Sequence, residues 1–198
     1  MATKNKEKIY KLTLTAVLTA LIFVMAFTPI GYLKIGVVSI TFLMVPVVIG
    51  AIVGGPAVGA VLGAMFGATS FIQCFGMDAF GTTLFGINPV FTFIMCLVPR
   101  TLMGLFCGLI YKGFKSKKQY NLGTIITSFC GGFINTVLFV GFLLLLFYNT
   151  EYIQSFGNSV IGVISALITV NAVIEWASCT VIGSAVSTAL NRAFKNNI

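Results

Sequence analysis

Residues 35 to 77 run for 43 positions without one charged side chain. A helix crosses the ~30 Å hydrocarbon core of a bilayer with about 20 apolar residues, so this interval has room for two crossings. Over the whole chain of 198 residues, 58% are hydrophobic and 8% charged, where a soluble domain carries about 25% charged. A water-soluble fold of this length has too little interior to hide so much apolar surface, so the surroundings that satisfy it are lipid. The expected fold class is an all-α membrane protein, a six-transmembrane-helix bundle forming a single domain over 1–198.

Glycine, proline and charge place the crossings near 9–28, 36–53, 56–74, 87–111, 122–148 and 160–190. The basic residues cluster at three places. Lys4, Lys6, Lys8 and Lys11 open the chain, Lys112, Lys115, Lys117 and Lys118 share one loop, and Arg192 and Lys195 close it. Lysine and arginine accumulate on the cytoplasmic side of membrane spans. An even number of spans must then separate the clusters, and the four before the loop and two after it meet that condition, with both termini cytoplasmic. The first apolar run follows a lysine-rich head without a small-residue cleavage site, so it reads as the first span and not as a cleavable signal. The net charge of +8 is accounted for by this flanking pattern, without nucleic acid as a partner.

Several chemistries are excluded. The chain has no histidine, and its five cysteines show neither CxxC nor CxxH spacing, so no metal centre and no histidine acid–base catalysis is expected. There is no GxxxxGK[ST] loop and the four acidic residues are scattered, so nothing equips the chain to hydrolyse ATP. No catalytic residue and no cofactor is expected, and the chain is read as not an enzyme.

Small residues mark close packing. Gly55, Gly59, Gly63 and Gly67 recur every fourth position, and Gly104 and Gly108 do the same in the next span. Such spacing lets helix backbones approach in lipid. Ala16 and Ala20 form a similar pair in the first span, suited to packing in the bundle or to docking another membrane subunit.

The polar residues at depth require a reason. A charge at mid-membrane costs about 2.5–3.5 kcal/mol on insertion scales and so faces a partner or a cavity. Arg100 lies twelve residues before Lys112, about 18 Å up a helix at ~1.5 Å per residue. Glu175 lies within the sixth span, with Asn171 one turn before it and Trp176, the single tryptophan, beside it. Arg100 and Glu175 either pair with each other or with carbonyls freed near Pro99, or at least one faces a ligand. Asn88 either caps the fourth span before Pro89 or faces a pocket. Gln73 and Asp78 sit at the outer end of the third span, and Lys34 lies in the first outer loop. Together these residues outline a site in the outer half of the bundle, in which arginine suits a carboxylate or phosphate.

The six short spans, the Ala16–Ala20 pair, the turn "GGPAVGAVLG" and the segment "VPRTLMGLFCGLIYK" resemble the substrate-binding S-components of energy-coupling-factor (ECF) vitamin transporters across nearly the whole chain. The resemblance implies a high-affinity vitamin-binding subunit. It implies as partners a transmembrane coupling subunit, docked through Ala16 and Ala20, and two cytoplasmic ATPases. It implies that the loop at about 29–41 acts as a lid, and that the bundle topples in the membrane to deliver its ligand. The run "SFIQCF…FGINPVFTFIMCLVPRTLMG" is more similar to pantothenate-type members than to the riboflavin, thiamine or biotin types. Riboflavin, folate or a pyridoxine-like compound remain as ligands, and an ion-coupled carrier acting alone, with Glu175 moving a proton, remains as a mechanism.

Overall fold

The structure is a computed structural model. It describes the backbone of residues 2–29, 31–35, 38–156, 160–167 and 170–195, and the side chains of 5–6, 8–29, 31, 41–156, 160–165 and 172–190. In chain order these residues form α1 (Ala2–Ala26), a hairpin of β1 (Tyr32–Ile35) and β2 (Val38–Thr41), α2 (Met44–Gly54), α3 (Pro56–Gln73), α4 (Ala79–Ile87), α5 (Pro89–Ser116), α6 (Tyr120–Phe147), α7 (Glu151–Gln154), α8 (Val160–Leu167) and α9 (Val170–Lys195). Among the described residues five segments are long and apolar enough to cross a membrane: Lys8–Ala26, Pro56–Gln73, Pro89–Ser116, Tyr120–Phe147 and Ala172–Leu190. Their outward faces carry bare aliphatic side chains, Leu145 at 81% and Val181 at 67% exposure among them. Such a surface suits hydrocarbon and not water.

The second expected crossing takes a different form. Residues 36–53 were expected to be one helix. Instead β1 and β2 pair antiparallel, with Tyr32 opposite Thr41 and Ile35 opposite Val38, and only Met44–Gly54 is helical. The fold is therefore helical with one β-hairpin, not all-α. The sequence 35–42, IGVVSITF, is rich in β-branched residues, which fit a pleated strand better than a helix. The other expected boundaries shift less. The sixth run, expected over 160–190, is helical in its described parts, α8 and α9, and Glu175 lies in α9. The expected loop at 75–86 contains most of α4, and that at 149–159 contains α7.

Helix α2 is the hub. Ten of its eleven residues are buried, as expected of a helix apolar on all sides, and it touches α1, α3, α5, α6 and α9. Around it α3 lies along α5, α5 along α6 and α6 along α9. The α3–α5 seam is backbone against backbone. A methyl group at Gly59 would collide with the Gly104 carbonyl, and one at Gly63 would lie 2.9 Å from the Arg100 carbonyl carbon. At Gly67 it would lie 2.8 Å from the Cys96 oxygen. The glycine ladder thus sets the height of α5 against α3, and with it the height of Arg100. Gly55, the first rung, plays another part. Its φ of +95° turns the chain between α2 and α3, a conformation open to glycine, and Pro56 starts the next helix.

Two apolar clusters fill the interior. One surrounds α2 and includes Ile22, Leu62, Phe66, Met103 and Cys107. The other gathers Phe80, Leu84, Met95, Cys96, Leu143 and Phe147 at the end of the bundle remote from the Lys112–Lys118 loop.

Candidate functional site

A cavity of about 130 Å³ takes walls from both clusters. Its polar lining is Thr41, Ser70, Gln73, Asp78, Arg100, Asn135, Thr136 and Glu175, and its apolar lining includes Phe66, Phe80, Met95 and Phe139. Helices α3, α5, α6 and α9 contribute, with the end of the hairpin and the start of α4. An apolar chamber with a few convergent polar groups is the usual form of a small-molecule site.

Arg100 is held by its own helix. Pro99 has no N–H, so the Met95 carbonyl one turn earlier lacks its helical donor. The Arg100 guanidinium supplies one: Nη1 donates to Met95 O at 3.2 Å and to Cys96 O at 3.1 Å. The guanidinium carbon lies 4.9 Å from the ring centre of Phe66 and 5.4 Å from that of Phe139, a cation–π sandwich. Nε is buried without a partner. Arg100 and Glu175 line the same cavity but form no ion pair within 4 Å.

Both carboxylates in the cavity are engaged by backbone amides. Glu175 Oε1 accepts from the Thr41 N–H at 2.8 Å, joining α9 to the hairpin. Asp78 caps α4, its Oδ2 accepting from Gly81 N–H at 2.7 Å. Gln73 is buried at the end of α3, and its Nε2 donates at 2.5 Å to the carbonyl of Ala26, the last residue of α1.

Four of the residues singled out from sequence therefore meet in one chamber: Arg100, Glu175, Gln73 and Asp78. Two others do not reach it. Asn88 caps α5, its Oδ1 accepting from Val90 N–H and Phe91 N–H, both at 3.1 Å. Trp176 lies on α6 over Gly132, edge-on to Phe129 and Phe133, and its Nε1 donates to Thr136 Oγ1 at 3.0 Å. It steadies a lining residue from behind and is not a wall. The side chains of Lys34 and Asn171 lie outside the described residues. Ala16 and Ala20 are exposed on α1, on the surface of the bundle.

The polar residues overlooked in the sequence are Thr41, Ser70, Asn135 and Thr136. Asn135 carried a usable signal. It is an amide fourteen residues inside a long apolar run, costly in lipid without a partner. In the structure it is 7% exposed, and its Oδ1 has no partner. An unpaired acceptor thus joins an unpaired Arg100 donor among the lining residues. Among the described residues no group of three histidine, cysteine or acidic side chains is placed to hold a metal ion.

Comparison with known proteins gives two findings. The profile of the family described as "ECF transporter, substrate-specific component" matches residues 10–187. A pantothenate transporter, PanT, of Leuconostoc mesenteroides subsp. mesenteroides is 25% identical over 196 residues, covering 94% of this chain and 93% of the relative.

Proposed function

The chain belongs to the family of substrate-specific components of ECF transporters, a multi-pass membrane protein of vitamin uptake, and from that premise we propose that its cavity captures pantothenate from outside the cell. The supporting observation is Arg100: a buried guanidinium in an apolar chamber, anchored through Nη1 and free of any ion pair, with Nε unsatisfied. An unpaired charge at such a place is expensive, and a carboxylate entering the cavity would offset the cost with a charge-assisted hydrogen bond. Pantothenate brings one carboxylate, two hydroxyls and an amide. Asn135, Thr136, Ser70 and Gln73 are suited to the neutral polar part, and Phe66 and Phe139 to the methyl-bearing carbon. The full-length similarity to a relative named for pantothenate points the same way.

In this reading α1, α2 with its hairpin, α3, α5, α6 and α9 make six crossings, and both termini and the Lys112–Lys118 loop face the cytoplasm. Ala16 and Ala20 leave a shallow exposed strip on α1 for the coupling subunit, and two ATPases supply the energy. The hairpin, tied to Glu175, covers the mouth. Glu175 then serves the lid and not a proton pathway, which favours the subunit over a carrier working alone.

The direct test is calorimetric titration of the purified chain with pantothenate, without nucleotide. Saturable binding is expected. Arg100→Ala should weaken it about 30-fold, the equivalent of ~2 kcal/mol for one charged hydrogen bond. The alcohol analogue of pantothenate, which lacks the carboxylate, should bind wild type and variant alike. Equal affinity of wild type and folded Arg100→Ala for pantothenate would reduce Arg100 to a structural brace.

A further inference from the structure

Two thiols share the cavity wall. Cys74, at the end of α3, and Cys96, in α5, both line the chamber, and their sulfurs lie 3.9 Å apart in hydrogen-bond contact. Both are free thiols. We propose that Cys74 and Cys96 form a modification site, a thiol pair that a small peroxide entering the cavity converts reversibly into a disulfide, switching ligand binding off.

The geometry favours the pair over the other cysteines. Cys107 and Cys179 are buried in the cluster around α2, Cys130 lies half-buried on α6, and none of the three lines the cavity. Each member of the proposed pair is 3% exposed, but it faces the chamber, so a reagent as small as hydrogen peroxide meets it by the ligand's route. The reaction balances without further reactants. One thiolate attacks a peroxide oxygen, the O–O bond breaks, and a sulfenic acid and hydroxide form. The second sulfur then attacks the first and displaces its oxygen as water. Two sulfurs lose one electron each, one peroxide becomes two waters, and both thiol protons end in water.

The bond would also move the site. A disulfide needs its sulfurs about 2.05 Å apart, so the contact must close by nearly half. The two helices cannot slide together, because Gly67 already meets the Cys96 carbonyl region without room for a methyl group. The strain falls on what surrounds the sulfurs. Cys74 is flanked by Gln73 and packed against Gly81, whose N–H holds Asp78. Cys96 lends its carbonyl to Arg100. Oxidation therefore pulls on both the polar rim and the guanidinium anchor. The switch rests on the reading of this cavity as the ligand site, whereas the cross-link does not.

The experiment treats the purified full chain with hydrogen peroxide, maps cysteines by peptide mass spectrometry, and titrates pantothenate before oxidation, after it, and after dithiothreitol. A Cys74–Cys96 cross-link is expected to appear first, with Cys107 and Cys179 still reduced. Affinity should fall at least tenfold and return with the reductant. Cys96→Ala should show the same affinity, whatever its value, with and without peroxide. Oxidation of Cys107 or Cys179 ahead of the pair, or single sulfinic acids without a cross-link, would overturn the proposal. So would a complete cross-link that leaves binding unchanged. If the reduced chain does not bind pantothenate at all, the ligand assignment fails. The cross-link map, read without ligand, then decides the thiol pair by itself, a selective bond sustaining it and none refuting it.

Discussion

Arg100 and Glu175 look alike in the sequence, as charges where charges are costly, yet the structure gives them different surroundings. Arg100 leans on carbonyls released by Pro99, and Glu175 grips the Thr41 amide of the hairpin. That difference was not legible, because Thr41 is 134 residues away in sequence from its partner. The presence of the charges was legible, since apolar runs make any exception visible. Asn135 was legible in principle by the same argument, and only its lack of formal charge hid it. A prediction follows for Glu175. Glu175→Gln keeps an oxygen to accept from Thr41 N–H, whereas Glu175→Ala leaves a buried amide unpaired, at a cost of about 1–3 kcal/mol. Thermal unfolding should rank wild type close to Gln, with Ala lower. Calorimetry should find Glu175→Gln binding pantothenate at least as tightly as wild type, since one negative charge leaves a chamber read as a carboxylate site. A tenfold loss in Gln would make Glu175 a ligand contact.

Elements differed in how well they could be read. Helices α1, α3, α5 and α6 match the expected runs because length, apolar content and caps agree: Pro56 starts α3, and Asn88 with Pro89 starts α5. Strand β2 and α2 fall together in the one expected helix over 36–53 because hydropathy alone does not separate a buried strand from a buried helix. The four-residue glycine period in α3 was legible as close packing, but the partner helix was not. That partner is α5, and the contact runs through the Arg100 carbonyl at Gly63. Gly63→Ala is therefore expected to destabilise the protein by about 1–3 kcal/mol through overpacking and to weaken pantothenate binding by displacing Arg100. Gly141→Ala on α6 is the control. A methyl group there meets nothing within 4 Å, and alanine is the better helix former, so stability should hold or rise. Thermal unfolding of both variants in one detergent checks the contrast, and equal behaviour would remove the seam from the account of Arg100.

At the scale of the whole molecule, the chamber and the lysines lie at opposite ends. Arg100 stands twelve residues, about 18 Å of helix, from Lys112 in α5, and the other lining residues lie on its side or beyond. An open groove beside Leu109, Ile110, Gly113, Phe114 and Lys117 lies at the lysine end, but it shares no lining residue with the chamber, and the sequence has no nucleotide loop. On the proposed reading such a body captures the ligand and leaves the uphill step to its partner subunits. Two measurements should therefore separate. With pantothenate at about a hundred times its Kd, the isolated chain should gain ~2.7 kcal/mol of stability by linkage, seen as a raised unfolding temperature that ATP leaves unchanged. Sealed liposomes holding only this chain should accumulate no pantothenate under a proton or sodium gradient, and should do so once a coupling subunit and its ATPases are added with ATP. Uptake by the chain alone under a gradient would overturn this division of labour. It would also return Glu175, the buried acid nearest the hairpin, to the part of a proton carrier.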